Sequence, residues 1–560
     1  VSLETSLSLE DIYAILYRDP AYSSSHTHFG QKSIDIFSDM LSSDLALSQS
    51  TYGWYRTSIT EFSATVGPST DAQYIYDYYM EIIDTVNPLI ISLTPFGSLP
   101  SNDQDRWLLG QVKALRGYAY FYLTQLLQEK YNPDEVILPL HVGSYDNTPV
   151  ATSTIYNQIL NDLNSSIILL DNYTSPDKLH VNKTIAQGLL AYTHAAMGNY
   201  AAAKPLADAV IASEYPLTTA SELVHTGDDS PGGVSGFNDV NTPSWMWGVD
   251  LNEDIGLGLI SWWGQMDYYS YSYAAYGDFK AIDASLFAEI PTDDLRKGQF
   301  IDDTSLSQHL MPLYKFYDSD RTHTGTATIV KADYLFMRVD EFYLLSAECA
   351  TRLGNDAEAR ATMIPFLDIR IPNAETIVNA LSGAELQDFI YLQTKIELWG
   401  EGKTYLAMKR NQATITRGTN HLSFVGESFS YDADELTFDM VSLESNYSPP
   451  VLEFLNCGGL VQNGDVLVFQ ESVTDFTFQI PYVTQGGGDY EAIDFYSSGV
   501  QGLTASIADG TFNEFEGMLE FTITGTPLDY GTATFNVTIG GRSCVISFEV
   551  VAVENCTAYP

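Results

Sequence analysis

Near residue 450 the repeat of apolar residues changes, and that change is the strongest constraint on what the chain can fold into. Before it, apolar side chains recur every three or four positions, which puts them on one side of a helix. After it they recur every second position, which suits a strand with one buried face. In RWLLGQVKALRGYAYFYLTQLLQE, residues Leu108, Val112, Leu115, Ala119, Tyr122 and Leu126 form one helical stripe. Leu335, Val339, Phe342, Leu345, Cys349 and Leu353 predict a second. FTFQIPYV, LEFTITGTP and ATFNVTIGGRSCVISFEVVAV instead alternate polar with β-branched or aromatic residues, and Gly540-Gly541 reads as a hairpin turn. The expectation is a mainly α chain: a helical-repeat domain over 1–450, then a small all-β module over 451–560, an immunoglobulin-like sandwich in architecture.

Two helix pairs share a turn. AQGLLAYTHAAMGNYAAAKPLADAVI has Gly198-Asn199 between alanine-rich helices, and DEFYLLSAECATRLGNDAEARATMI has Gly354-Asn355 in the same place. Small residues around a glycine turn let antiparallel helices approach closely, the logic of tetratricopeptide-type hairpins that stack on a shared core. A long insertion, residues 214–332, separates the pairs and is rich in Gly, Asp, Ser and aromatics. A plain solenoid does not tolerate such an interruption unless it builds structure or a site of its own.

The chain's 26 Lys+Arg stand against 72 Asp+Glu, a formal net charge of −46. Nucleic acid is excluded as a partner, because binding it requires cations that displace condensed counterions. Polyanionic ligands are repelled as well, whereas a neutral ligand is not. No apolar run is long enough for a membrane-spanning helix, and the opening VSLETSLSLEDIYAIL reads as folded sequence, so any targeting segment lies upstream. Cys349 sits alone in a helical pattern and reads as a small buried hydrophobe. Cys457, Cys544 and Cys556 fit no short zinc spacing. The strings LNCGGL and ENCTAYP suggest that Cys556 begins a second, truncated repeat, which leaves Cys457 and Cys544 to pair as a disulfide.

LGQVKALRGYAYFYLTQLL followed by LPL, the segment TSTIYNQILNDLNSSIILL, the two glycine-turn hairpins, FIYLQTKIELWGEGKTYLAMKRN and the closing LTFDMVSLESNYSP occur in the order found in the SusD/RagB family. The chain resembles that family over roughly residues 1–450. Its Glu-Leu/Gly-Glu-Gly/Lys-Arg signature is matched by Glu397, Leu398, Gly400, Glu401, Gly402, Lys409 and Arg410. Two features depart from the pattern: Asn411 stands where the family usually has Trp, and about 110 residues follow its usual end. The resemblance implies a surface lipoprotein of the outer membrane that captures oligosaccharide or polysaccharide without hydrolysing it. Its implied partner is a SusC-like, TonB-dependent outer-membrane transporter. It also implies membrane attachment only through an acylated cysteine upstream of Val1.

Residues 261–279, SWWGQMDYYSYSYAAYGDF, hold eight aromatics and no Leu, Ile or Val. A flat ring covers the C–H face of a pyranose, and polar side chains take its hydroxyl rim. About 50 Å² of covered face is worth ~1 kcal/mol per ring, so capture by a few rings is weak. Trp262, Trp263, Tyr268, Tyr269, Tyr271, Tyr273 and Tyr276 are the candidate platform, with Gln265 and Asp267 as rim groups. The bland alternative packs these rings onto the helices. Tyr52, Trp54 and Arg56 in STYGWYRTSITEF form a second aromatic loop. The resemblance implies that an early loop and the insertion build one ligand site. Trp245 and Trp247 in SWMWGVD read as a buried strand.

Catalytic and metal readings are weaker. No GxSxG, HExxH or P-loop string occurs, so no catalytic residue, metal or cofactor is assigned. His26 and His28 lack further ligands, and GDDS and NEDIG lack EF-hand spacing. Glu397 and Glu401 read as helix-end carboxylates tied to Lys409 or Arg410. The preferred ligand is a neutral, β-linked glycan such as chitin or a β-glucan. Peptide capture within the same transport class and a glycoside hydrolase are the rivals.

Overall fold

The computed structural model describes residues 9–18, 25–67, 69–94, 98–142, 147–225, 235–252, 255–318, 330–438, 452–464, 466–484, 488–490, 492–513, 516–540 and 542–552. Cys556, the GDDS string at 227–230, the middle of NEDIG and most of the LTFDMVSLESNYSP stretch lie outside them.

Helices Thr70–Leu93, Asp103–Leu127, Thr152–Leu169, Lys183–Ala196 and Tyr200–Ile211 pack each on the next. Helix Asp340–Arg352 then packs on Tyr200–Ile211, and Asp356–Leu367 and Gly383–Glu397 follow it. The stack therefore continues directly across the insertion. Both glycine turns are in place, with Gly198 at φ 73° and Gly354 at φ 75°, conformations that cost other residues about 1–2 kcal/mol. Side-chain caps start the helices: Asn102 accepts from the Asp105 N–H at 2.9 Å and Asn182 from the Ile185 N–H at 3.0 Å.

Two details differ from the sequence reading. From Leu109 onward Asp103–Leu127 is buried on every side except at Lys113, because helices cover both of its flanks. Leu335 belongs to a strand, not to the second helical stripe. Strand Tyr334–Arg338 pairs antiparallel with Trp245–Val249 and is wholly buried, so Trp245 and Trp247 lie in the core as their alternation suggested.

The insertion is tied to the helices by buried charge. Glu397 accepts from Arg338 at 2.8 Å, from Arg370 at 2.7 and 2.8 Å, and from Arg296 of the insertion at 3.1 Å. Glu401 accepts from Arg338 at 2.8 Å and from Lys315, also of the insertion, at 2.8 Å. The Arg370 and Arg338 cations hold Glu397 well below the usual carboxylate range despite its burial. The expected partners are not the observed ones. Lys409 donates instead to the carbonyls of Gln125 and Gln128, and Arg410 forks onto Glu348.

After residue 451 two sheets share one core. Strands Val461–Asn463, Phe476–Thr484, Glu516–Gly525, Leu503–Ile507 and Ile493–Tyr496 lie side by side in that order, with Leu452–Leu455 also on Phe476–Thr484. Leu467–Val468, Arg542–Val551, Gly531–Ile539 and Ser498–Gly499 form the second sheet. Phe476 and Phe478 from the first sheet meet Phe548 from the second, with ring centroids 5.2 Å apart in each pair. The last hairpin turns at Gly540, where Ile539 pairs with Arg542. Cys457 and Cys544 form a disulfide across 87 residues, and Cys349 is free and buried. No helix of the described residues is long and apolar enough to cross a membrane.

Candidate functional site

Strand Leu45–Gln49 pairs antiparallel with Phe279–Ile282, in the register Leu45↔Ile282 and Gln49↔Phe279. The loop that leaves Gln49 and the loop that enters Phe279 therefore emerge at the same end of the pair. That geometry brings residues 51–56 against residues 268–278, some 220 positions apart in sequence. Asp278 fixes the junction: its Oδ1 accepts the backbone N–H of Thr51 at 2.5 Å and of Tyr52 at 2.8 Å. The Thr51 hydroxyl donates to the Gly277 carbonyl at 3.1 Å. Gly277 has φ 103°, and a Cβ there would lie 2.4 Å from that hydroxyl, so any other residue would push the loops apart.

Tyr273 is the hub. Its ring meets Tyr52 at 5.2 Å and Trp54 at 5.7 Å, both edge-on, and its hydroxyl shares a hydrogen bond with Nδ1 of His26. The imidazole of His26 stacks on Trp54 at 4.9 Å with 4° between planes. Burial pushes the Tyr273 phenol up and the His26 imidazole down, so both are neutral near pH 7. Tyr271 and Tyr276 pair edge-on at 5.8 Å in the same loop. The outer rings are well exposed: 56% for Tyr52, 47% for Tyr276 and 40% for Tyr271. Edge-on packing of Tyr52 on the buried Tyr273 limits its motion, which lowers the entropy lost when a ligand settles on it.

Several candidates lie elsewhere than expected. Trp262 and Trp263 are corrected to core residues, 2% and 1% exposed, on a short helix Trp262–Met266 capped by Ser261. Trp262 packs edge-on against Phe316 at 4.6 Å and lies under Lys32 at 5.1 Å. Tyr269 and Tyr273 are buried, the first in a small core with Phe279, Met311, Leu313 and Tyr317. Tyr268 is half-buried and accepts from Gln308 at 2.9 Å; Trp54 is half-buried and Arg56 exposed. Gln265 and Asp267, expected on a sugar-facing rim, are both fully buried. Gln265 donates to the His26 carbonyl at 3.0 Å and accepts from Lys280 at 2.6 Å, so it braces the loops from beneath. Burial brings the Lys280 ammonium down to about 7 and pushes the Asp267 carboxyl up to about 7.

The two histidines of HTHFG diverge: His28 stacks on Tyr74 at 3.9 Å and meets Asp71 at 3.1 Å. Sequence reasoning missed Asp278 and Lys280 and weighed His26 only as a metal ligand. The Asp278 carboxylate and the His26 imidazole hydrogen-bond to residues more than 220 positions away in the chain, so local pattern could not reveal them.

The fold and site thus define a stacked helical-hairpin protein whose excursion presents an aromatic surface. A comparison with solved structures finds the same fold in a SusD-like carbohydrate binding protein from Bacteroides vulgatus, at 20% identity and TM-score 0.61, covering 76% of this chain and 92% of that one. A putative sugar binding protein from Bacteroides vulgatus matches at 19% identity and TM-score 0.59, covering 77% and 93%. A SusD superfamily protein from Bacteroides thetaiotaomicron matches at 19% and 0.58, covering 76% and 93%. Residues 302–453 match the model of the SusD family. The chain thus has the fold of SusD-like proteins, matches the SusD family model over residues 302–453, and carries a strand-rich C-terminal region. A comparison with curated proteins gives no match.

Proposed function

We propose that this protein captures oligosaccharide or polysaccharide at the outer face of the outer membrane and passes it, uncleaved, to a TonB-dependent transporter. The observation that carries the reading is the packing of Tyr52 and Trp54 on Tyr273 where the early loop and the insertion meet, with the exposed Tyr271–Tyr276 pair in the same loop as Tyr273. Two solved structures with this fold are described as carbohydrate or sugar binding, which supports the same class of ligand here. The net charge of −46 favours a neutral glycan over an anionic one, and flat ring faces favour β-linked chains such as chitin or β-glucan. Attachment is through a lipid on a cysteine upstream of Val1. The strand-rich region is an immunoglobulin-like module and a separate domain beginning near residue 451.

Affinity electrophoresis on a polysaccharide panel tests the reading, with calorimetry on the retained glycan and an assay for released reducing ends. Retention of a neutral glycan without new reducing ends is expected, weakened in Tyr52→Ala and in Tyr276→Ala. Released ends would make it a hydrolase. Binding of peptides alone would replace the ligand class.

A further inference from the structure

A second concavity, about 570 Å³, lies within the insertion and shares no lining residue with the aromatic surface. That volume is in the range that holds a small ligand. Its base is apolar, with Val224 and Phe300 buried. One wall is aromatic: the rings of His225 and Tyr314 lie nearly parallel, 15° apart, and the His225 N–H donates to the Tyr314 carbonyl at 3.0 Å. Thr292, Asp293 and Asp302 line it and are exposed. Gly298 keeps the cleft open: a Cβ there would touch Val224 at 3.4 Å, so larger side chains would project into the space.

The cleft is rigid. Asp294 holds Arg296 at 2.7 and 3.0 Å, and Arg296 joins the buried network through Glu397. The Leu295 N–H donates to the Arg370 carbonyl at 2.9 Å. Lys297 is the lining ammonium, and it is spent on the carbonyls of Ile290 and Phe287, at 2.7 and 3.3 Å. Among the described residues no ion pair or hydrogen bond occupies the carboxylates of Asp293 and Asp302. A floor of apolar side chains, a ring wall, a hydroxyl and two available acceptors are the groups that grip a pyranose: C–H face on ring, hydroxyls on carboxylates. Uncompensated negative charge rejects uronate or sulfated sugars.

The geometry points to a second carbohydrate subsite in this cleft, taking a short, neutral, hydroxyl-rich saccharide, held between Tyr314 and the Asp293/Asp302 carboxylates. It deepens the capture reading and rests on it. Both sites border one small core, to which Tyr269 and Phe279 contribute from the aromatic side and Tyr317, in ring contact with His225, from the cleft side.

The test uses the whole chain with chitotetraose and laminaritetraose as probes and tetragalacturonate as the anionic control, read by calorimetry and by hydrogen exchange of residues 292–302. The neutral sugar that binds is expected to show two classes of site and to protect 292–302. Tyr52→Ala should weaken one class. Asp293→Ala, at an exposed position that leaves folding intact, should weaken the other roughly three- to tenfold. Gly298→Val should abolish that second class, and tetragalacturonate should not protect 292–302. A single class of site, unaffected by Asp293→Ala and Gly298→Val, overturns the cleft while leaving the aromatic surface standing. No binding of either neutral sugar, with none retained on the polysaccharide panel, overturns both.

Discussion

Replacing Tyr52 by alanine and, separately, Trp263 by alanine separates ligand contact from core. Tyr52 is 56% exposed and touches Tyr273 only edge-on, so its loss should cost folding less than about 1 kcal/mol. Its exposed face can cover about 50 Å² of sugar at ~25 cal/mol/Å², about 1 kcal/mol, or a roughly fivefold rise in Kd. Trp263 is 1% exposed and stands edge-on to Trp262 at 4.8 Å. Deleting its indole leaves a cavity and should cost roughly 3–5 kcal/mol of stability. Calorimetric titration with the retained glycan gives Kd, and urea unfolding gives stability for each variant. The expected pattern is a weakened but stable Tyr52→Ala and an unstable Trp263→Ala that, where folded, binds with near-parent affinity. A stable Trp263→Ala with selectively lost affinity would refute the assignment of this ring to the core, and an unchanged Kd in Tyr52→Ala would refute the aromatic surface.

Glu397→Gln leaves three buried guanidinium groups short of an anion and should destabilise by roughly 3–5 kcal/mol; near-parent unfolding in urea would show that the network contributes little. Asp267 has its carboxyl pushed up to about 7 by burial, against about 4 when unfolded, so folding takes up a proton and stability falls as pH rises from about 4 to 7. Asp267→Asn should therefore gain roughly 2–4 kcal/mol over the parent at pH 8 and lose that advantage by pH 4, a trend that melts across pH would reveal or contradict. Reducing the Cys457–Cys544 bond frees an 87-residue span and should lower the stability of the strand-rich region by about 2–4 kcal/mol while glycan affinity holds; equal melting of oxidised and reduced protein would count against this.

The helical hairpins were legible because everything that defines them is local: glycine at the positive-φ turn, asparagine at the next cap, alanine where backbones approach. The final hairpin was legible for the same reason, a two-residue period with a glycine turn, whereas the disulfide, across 87 residues, was legible only through the cysteine-bearing repeat. Leu335 was misplaced because a five-residue strand buried on both faces has no alternation to show, and its spacing happened to continue a helical stripe. Trp262 and Trp263 were misplaced for a different reason. Composition reports that rings are dense, not which of them a neighbouring helix will cover. Trp262 is covered by Phe316 and Lys32, 54 residues later and 230 earlier, and Trp263 packs edge-on to Trp262. The partners of Glu397 and Glu401 were hidden in the same way, since charge type is visible in sequence and distance in space is not.

Where the cations went bears on the ligand. Among the described residues eleven of the chain's 26 lysines and arginines are buried, including Arg296, Arg338 and Arg370, against 17 of its 72 acids. That leaves 15 cations and 55 acids elsewhere in the chain, a more lopsided ratio than composition alone conveys. Arginine suits the interior role because its planar fork satisfies two carboxylate oxygens at once, as Arg370 does on Glu397. The consequence falls outside. Arg296 and Lys315 of the insertion are consumed in joining it to the helical stack through Glu397 and Glu401, so two cations that would otherwise soften its surface lie inside. That placement adds to the acidic balance on which the proposed preference for uncharged ligands rests.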